Sequence, residues 1–404
     1  MQHATTRLFT LLLFAGASIA QETAANERVL GSEHGFRIVL PAESHRYAEP
    51  TQRFRRRRGP GPRDSTPNDN PVTDAGATLG RVLFYDKRLS VTKTVACASC
   101  HRQEHAFADP SRLSTGIRSR RGKRNSPSLV NVRDHATGGF FWDARAKSLE
   151  EQVLVPIQDR LEMGMKLPAL IERLDKLPEY QVLFREAFGD GGTSETRIAQ
   201  ALAQFVRTLT SSGSRFDEGY RQAGSVDGDF ANFREQENLG KRIFFGRGRG
   251  PSCASCHARV PRGRRGRGVR GDLFVASRPR NIGLDRDSRK DRGVGAVTGR
   301  PEDDGKFKAP SLRNVEVTGP YMHDGRFQTL EQVVAHYATG VQAHPNVDRR
   351  LAGRGFGGRG FGRRGSQPRG IDLDKQEQLA LVAFLKTLTD RTFLEDERFS
   401  SPFR

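Results

Sequence analysis

The sequence predicts a mainly α fold in which one helical domain occurs twice in tandem, with long loops between the helices. Three observations lead there. Stretches with apolar residues at helical spacing run through the 404 residues, and no run of alternating strands competes with them. One five-residue string, Cys-Ala-Ser-Cys-His, occurs at Cys97–His101 and again at Cys253–His257. The flanks of the two copies also correspond. Leu79-Gly-Arg-Val-Leu-Phe84 precedes the first and Leu239-Gly-Lys-Arg-Ile-Phe244 the second, while Pro127-Ser-Leu-Val-Asn131 is answered by Pro310-Ser-Leu-Arg-Asn314.

Taken in order, residues 1–20 read as a Sec signal peptide. Arg7 supplies the positive end, and the apolar run from Leu8 closes on Ser18-Ile19-Ala20 with small residues at the cleavage positions. The run is short for a membrane span; an uncleaved anchor is the other reading. A mature chain exported in this way is periplasmic or secreted, with no membrane span after cleavage. Residues 21–70 read as an irregular basic segment, 71–223 as the first domain, and 224–395 as the second with Arg/Gly-rich insertions. In the first domain a helix is expected from Asp74 to Tyr85, with Leu79, Val82 and Leu83 on one face. Arg124–Asn131 is a loop interrupted by Pro127. Ser148-Leu-Glu-Glu opens a helix with a capping-box pattern. Further helices are expected at Leu167–Leu177, Glu179–Phe188, Glu195–Leu209, Phe230–Phe245, Leu330–Tyr337 and Lys375–Leu388.

The repeated string carries the chemistry. Its four cysteines are the only ones in the chain. Two thiols at i and i+3 can each add across a haem vinyl group, and the following His can bind the iron, so C-x-x-C-H reads as covalent haem c attachment. Two covalently bound haem c groups are expected, held by Cys97, Cys100, Cys253 and Cys256, with His101 and His257 as proximal iron ligands. A structural zinc site gathers four ligands at short spacings, which two pairs over 150 residues apart do not offer. A thioredoxin-like pair needs a βαβ context that neither motif has. Two disulfides are compatible with export but give no reason for the His after each pair. The duplicated unit therefore reads as a cytochrome c-type haem domain.

The formal net charge of +20 is unevenly placed. Three stretches without Asp or Glu, Arg53–Arg63, Arg247–Arg270 and Arg349–Arg369, hold six, eight and seven Arg, enough to account for the excess. Their Gly and Pro content and lack of core residues make them surface segments. The run 353–365 resembles an RNA-binding arm, but export argues against nucleic acid as a partner. A solvated loop, or a surface that steers an acidic partner or a surface polymer, fits better.

On these residues the chain resembles the bacterial dihaem cytochrome c peroxidases and their relative MauG, from about Leu79 to Thr389. The resemblance is carried by the two Cys-x-x-Cys-His motifs and by Arg124-Asn125-x-Pro127-Ser-Leu. Further matches are Phe141-Trp142-Asp143-x-Arg145 with Ser148-Leu-Glu-Glu-Gln152, Glu162-Met163, Phe307-Lys-x-Pro310-Ser-Leu-Arg-Asn314-Val and Pro320-Tyr-Met-His323-Asp-Gly. Ala144 stands where the family usually has Gly, which affects a turn. The resemblance implies that the first haem reacts with hydrogen peroxide and the second takes in electrons. It implies that Gln152 and Glu162 form the distal pocket, and a carboxyl of raised pKa suits the proton transfer that O–O cleavage needs. It places Trp142 between the haems. It also implies a Ca²⁺ held by oxygens of Asn125, Thr318 and Pro320.

Two departures from the better-known peroxidases stand out. The only His between Arg102 and Asn125 is His105, four residues past His101 and so too near to reach the opposite haem face; the first haem is expected to be open at rest. Fourteen residues beyond His323, where the family usually has an iron-binding Met, stands Tyr337, as in MauG. The rival readings are His336, Met322 or no protein ligand. A phenolate ligand favours ferric iron.

The resemblance thus implies peroxide reduction with electrons from a small cytochrome c or cupredoxin. The alternative is a MauG-like oxidation of a partner protein or organic substrate, favoured by the open first haem and by Tyr337. A plain electron carrier is opposed by Gln152 and Glu162. Family members are often homodimers.

Overall fold

The computed structural model describes residues 27–31, 37–48, 64–134, 139–246, 251–258, 274, 277–352, 368 and 370–404. The signal-peptide stretch 1–20, the basic stretch 53–63, most of 247–270 and the run 353–365 lie outside them. The description begins with a small antiparallel hairpin, β1 (Glu27–Leu30) with β2 (Ile38–Pro41), in register Glu27 to Pro41. The expectation of an irregular segment over 21–70 is corrected here. Its strands are four residues long, and Val39 takes its outer hydrogen bond from the far end of the chain, donating to the Pro402 carbonyl at 2.8 Å.

Helix α1 (Asp74–Tyr85) matches the expected range. Thr73 caps it, its hydroxyl accepting from Gly76 N–H at 3.0 Å, which satisfies one of the free donors of the first turn. Helices α2 (Leu149–Gln158), α3 (Leu167–Asp175), α4 (Pro178–Phe188) and α5 (Glu195–Thr208) complete the first half. Ser148 caps α2 as expected, accepting from Glu151 N–H at 3.0 Å. The Glu151 carboxylate reaches back to Lys147 N–H at 2.8 Å rather than to Ser148, so the capping box is not reciprocal. Helix α6 (Arg215–Ala223) leads into the second half, where α7 (Glu235–Phe244), α8 (Leu330–Ala335) and α9 (Lys375–Lys386) are the main helices. The expected helix over Phe230–Phe245 starts five residues late. The Asn238 amide closes a turn over Phe230, its Oδ1 accepting from Phe230 N–H at 2.8 Å and its Nδ2 donating to Phe230 O at 3.1 Å. Two strands, β3 (Ser277–Arg280) and β4 (Phe307–Ala309), pair in the second half.

The duplication is visible in backbone detail. α1 crosses α5 and α7 crosses α9 at glycines: a Cβ on Gly80 would strike the Ala201 carbonyl, and one on Gly240 the Ala380 carbonyl. Phe107 and Phe274 share a left-handed backbone at φ 58° and 59°, as do Asn131 and Asn314 at 59° and 58°. Each Asn donates from its backbone to the end of the closing helix of its half, Asn131 to Leu209 O at 2.8 Å and Asn314 to Leu388 O at 3.0 Å.

Each half has its own apolar core. The first gathers Leu79, Val82, Leu83, Phe84, Phe107, Leu202 and Phe205, and recruits Phe393 and Phe399 from the C-terminal stretch. The second gathers Phe216, Phe230, Phe244, Phe274, Leu381 and Phe384. Among the described residues no helix is long and apolar enough to cross a membrane.

Candidate functional site

The first motif is one tight helical turn. Cys100 and His101 N–H donate to the Cys97 carbonyl at 3.1 and 3.0 Å, so both thiols project from a single turn. None of the four cysteines forms a disulfide. Burial raises the Cys97 thiol to about 12 and the Cys100 thiol to about 11, which leaves both protonated in the protein without haem. The chain then turns back through Ala106 and Phe107, both with positive φ, and sets the Phe107 carbonyl 2.7 Å from His101 Nδ1. A carbonyl only accepts, so Nδ1 carries the proton and Nε2 keeps its lone pair. Burial lowers the pKa of the ring and keeps it neutral.

His101 lines a cavity of about 1450 Å³. Its apolar wall includes Leu129, Val132, Phe140, Leu149, Val155 and Pro156. Ordinary small-molecule clefts occupy roughly 300–1,000 Å³. Two free thiols, a neutral imidazole with an available nitrogen and a chamber of this size with an apolar wall and a charged rim fit a haem. The residues that would hold it are Cys97, Cys100 and His101.

Another part of the cavity lining is built by α2 and the loop after it. Gln152, Val155 and Pro156 lie at i, i+3 and i+4 and share the cavity face of the helix. Asp159 ends α2 and folds the loop, its carbonyl accepting from Glu162 N–H at 3.0 Å and Gly164 N–H at 2.8 Å. Ile117 N–H donates to Glu162 O at 2.8 Å. Burial, then the charge of Asp159, raises the Glu162 carboxyl to about 7, with Arg145 acting the other way. Gly116 was not singled out from the sequence. A side chain there would collide with the backbone of Leu161 and Glu162, so this glycine lets the two loops meet.

Trp142 lies on the same cavity wall. Its indole N–H donates to Asn125 O at 2.7 Å, and its own carbonyl accepts from Lys308 N–H at 2.8 Å. The ring centre is 6.5 Å from that of His323, which stacks on Phe307 at 3.6 Å. Arg124 joins the halves, pairing with Asp143 at 2.6 Å and Asp291 at 2.8 Å. Asp291, Phe307, Lys308 and His323 had no assigned role from the sequence, because their importance comes from contacts with the other half. Ala144 has φ 59° and stands at the turn where its counterpart in the second half, Gly325, has φ 63°. A left-handed alanine costs about 1–2 kcal/mol.

In the second motif Cys256 and His257 N–H donate to the Cys253 carbonyl at 3.1 and 3.0 Å, reproducing the first. Burial lowers His257 to about 4. The Pro310 carbonyl favours a proton on this ring, yet Nδ1 is buried without a hydrogen-bond partner among the described residues. Tyr337 is placed beside this motif. Burial, reinforced by the Cys256 and Cys253 thiols, pushes its phenol well above the ordinary value. It lies in a widened turn, His336–Gly340, that continues α8. Its rival His336 is engaged elsewhere, with Nε2 3.1 Å from Ile282 O.

The calcium candidates are only partly brought together. Asn125 N–H donates to His323 O at 2.8 Å, which sets the 125 stretch against the chain just after Pro320. Asn125 Nδ2 donates to Ser111 O at 3.1 Å. Among the described residues no group of three or more His, Cys, Asp or Glu is placed to hold a metal ion. His105, the one candidate blocking ligand, has Nδ1 3.1 Å from Val317 O.

Comparison with known proteins agrees with this geometry. The family described as di-haem cytochrome c peroxidase matches residues 74–225. The methylamine utilization protein MauG of Methylophilus methylotrophus is 35% identical over 327 residues, 80% of this chain and 84% of that protein. The cytochrome c551 peroxidase of Nitrosomonas europaea is 32% identical over 316 residues, 78% and 79% of the two chains. A solved MauG-like protein associated with microbial copper homeostasis superposes with a TM-score of 0.65 at 33% identity, covering 85% of this chain and 97% of that one. A diheme peroxidase from Burkholderia thailandensis, 23% identical, shares the fold with a TM-score of 0.61 over 93% of this chain. With its helical fold, its two attachment motifs and these relatives, the chain belongs to the di-haem cytochrome c peroxidase family that includes MauG, and is an oxidoreductase of that type with two haem c groups.

Proposed function

We propose that the His101 cavity is the site of hydrogen peroxide reduction and that electrons enter at the His257 side from a small cytochrome c or cupredoxin. The observation that carries this is Glu162: a half-buried carboxyl raised to about 7, in the same cavity as His101. When bound, haem supplies the iron at which the O–O bond is split and the electrons that split it. The residues of the chain manage the protons. Ionised Glu162 accepts a proton from one peroxide oxygen and returns it to the other, which leaves as water. Gln152, from the face of α2, orients peroxide by hydrogen bonding. Two electrons and two further protons from solvent balance each peroxide to two waters. Trp142, on the wall shared with the second half, assists electron movement between the centres. Tyr337 would offer its phenol oxygen to the second iron. Asn125, Thr318 and Pro320 supply oxygens for one Ca²⁺. Export to the periplasm or beyond is part of the same reading, because C-x-x-C-H haem attachment is completed outside the bacterial cytoplasm.

A MauG-like oxidation of a partner protein or organic substrate is the second reading. The placement of His105 favours it: only four residues past His101 and not among the residues that line the cavity, it is not positioned to close the first haem. An optical spectrum of the oxidised holoprotein before and after one equivalent of peroxide tests both. An immediate change means an open first haem. No change until half-reduction means a peroxidase gated by a blocking ligand. If the open form turns over a reduced cytochrome rapidly it is a peroxidase; a long-lived oxidised state that decays only with a protein substrate is MauG-like.

A further inference from the structure

Lys308 is the middle residue of β4 and comes from the second half, yet its side chain lines the cavity of the first. Its backbone is pinned by the 2.8 Å bond to the Trp142 carbonyl. The ammonium lies 5.9 Å from the Phe140 ring centre and has no hydrogen-bond or ion-pair partner among the described residues. Asp143, the one carboxylate that bears on it, is already held by Arg124 at 2.6 Å and Arg145 at 3.0 Å. Burial pulls Lys308 down to about 8. A half-buried ammonium that faces a cavity without a counter-ion is placed to pair with an anion bound there.

We propose that Lys308 is a haem-binding residue whose ammonium pairs with a propionate carboxylate of the haem attached at Cys97 and Cys100. This rests on the haem at His101 proposed above. A haem fixed through its vinyl groups carries its two carboxylates on the far edge of the ring, and that edge is the anion the cavity must accommodate. Lys308, Phe140 and Trp142 line the cavity with His101, whereas Cys97 and Cys100 are not among its lining residues. A positive charge at the ring edge favours the reduced iron, so Lys308 raises the potential of the first haem. It does so from a strand whose next residue but one, Pro310, bears on His257. One short stretch of the second half thus touches both centres.

The test is a spectroelectrochemical titration of holoprotein, with covalent haem content measured first. Lys308→Met is expected to lower the midpoint potential of the His101 haem and leave that of the His257 haem in place. Lys308→Arg, which keeps the charge, is expected to hold the wild-type value. A Met variant that loses the first haem while the Arg variant keeps it supports the same assignment. Two haems and an unchanged potential in Lys308→Met overturn it, as does an Arg variant that falls as far as Met. Wild-type protein with haem at His257 alone overturns both this assignment and the proposed function, whereas the other two failures leave the function standing.

Discussion

Burial and the neighbouring Asp159 charge hold the Glu162 proton until about pH 7. The proposed role needs the carboxylate, so the sign follows: the rate of reaction with peroxide falls as pH drops below about 7, approaching tenfold per unit. Glu162→Gln should slow that reaction by about 10²–10⁴-fold and remove the pH limb while both haems stay attached. Unchanged stopped-flow kinetics in the variant would remove Glu162 from the mechanism. At the second centre, Tyr337→Met would replace the proposed phenol ligand, which favours ferric iron, with one that raises the potential. A redox titration should show the His257 haem moving to a more positive value; an unmoved potential means that the phenol is not a ligand. The attachment residues were legible because covalent chemistry demands a fixed local string. Asp291 and Lys308 were not, because neither has a neighbour in sequence that reveals which cavity it faces.

At the level of elements, the helix crossings depend on two glycines. Gly80→Ala pushes a methyl group into the Ala201 carbonyl, and backbone cannot rotate away as a side chain can. The expected loss is at least about 1–3 kcal/mol, read as a lower melting temperature, with Gly240→Ala giving the same effect in the second half. A wild-type melting curve in either variant would mean that the helices can separate without cost. Helix α1 could be read to the residue because its cap and its apolar face are both local. The start of α7 could not, because Phe230 and Phe233 keep helical spacing while the Asn238 amide holds them in a turn. The hairpin β1–β2 escaped for the opposite reason: part of its support, the Pro402 carbonyl, arrives from more than 350 residues away.

For the whole molecule, the two cores meet through polar contacts as well as apolar ones. Ser211 N–H donates to Asn131 Oδ1 at 3.0 Å, and in the second half Asp390 N–H donates to Asn314 Oδ1 at 2.7 Å. These mirrored units are then tied together, with Ser211 Oγ donating to Asp390 at 2.9 Å and Asn314 Nδ2 donating to Ser211 Oγ at 3.0 Å. Calcium between the same halves would add to this. Removing it with a chelator should lower the melting temperature, with Ca²⁺ rather than Mg²⁺ restoring it; no shift would rule out the proposed ion.

The Asn131–Ser211–Asp390–Asn314 joint also bears on how the molecule spends its time during turnover. Every one of these side chains is buried and partnered, so the halves are welded rather than hinged. The span an electron must tunnel is then a constant of the fold, set before any substrate arrives. Internal transfer after flash reduction should keep the same rate in buffer and in viscous sucrose solution, because no domain has to swing through solvent to complete the circuit. A rate that slows in proportion to viscosity would mean that the weld opens.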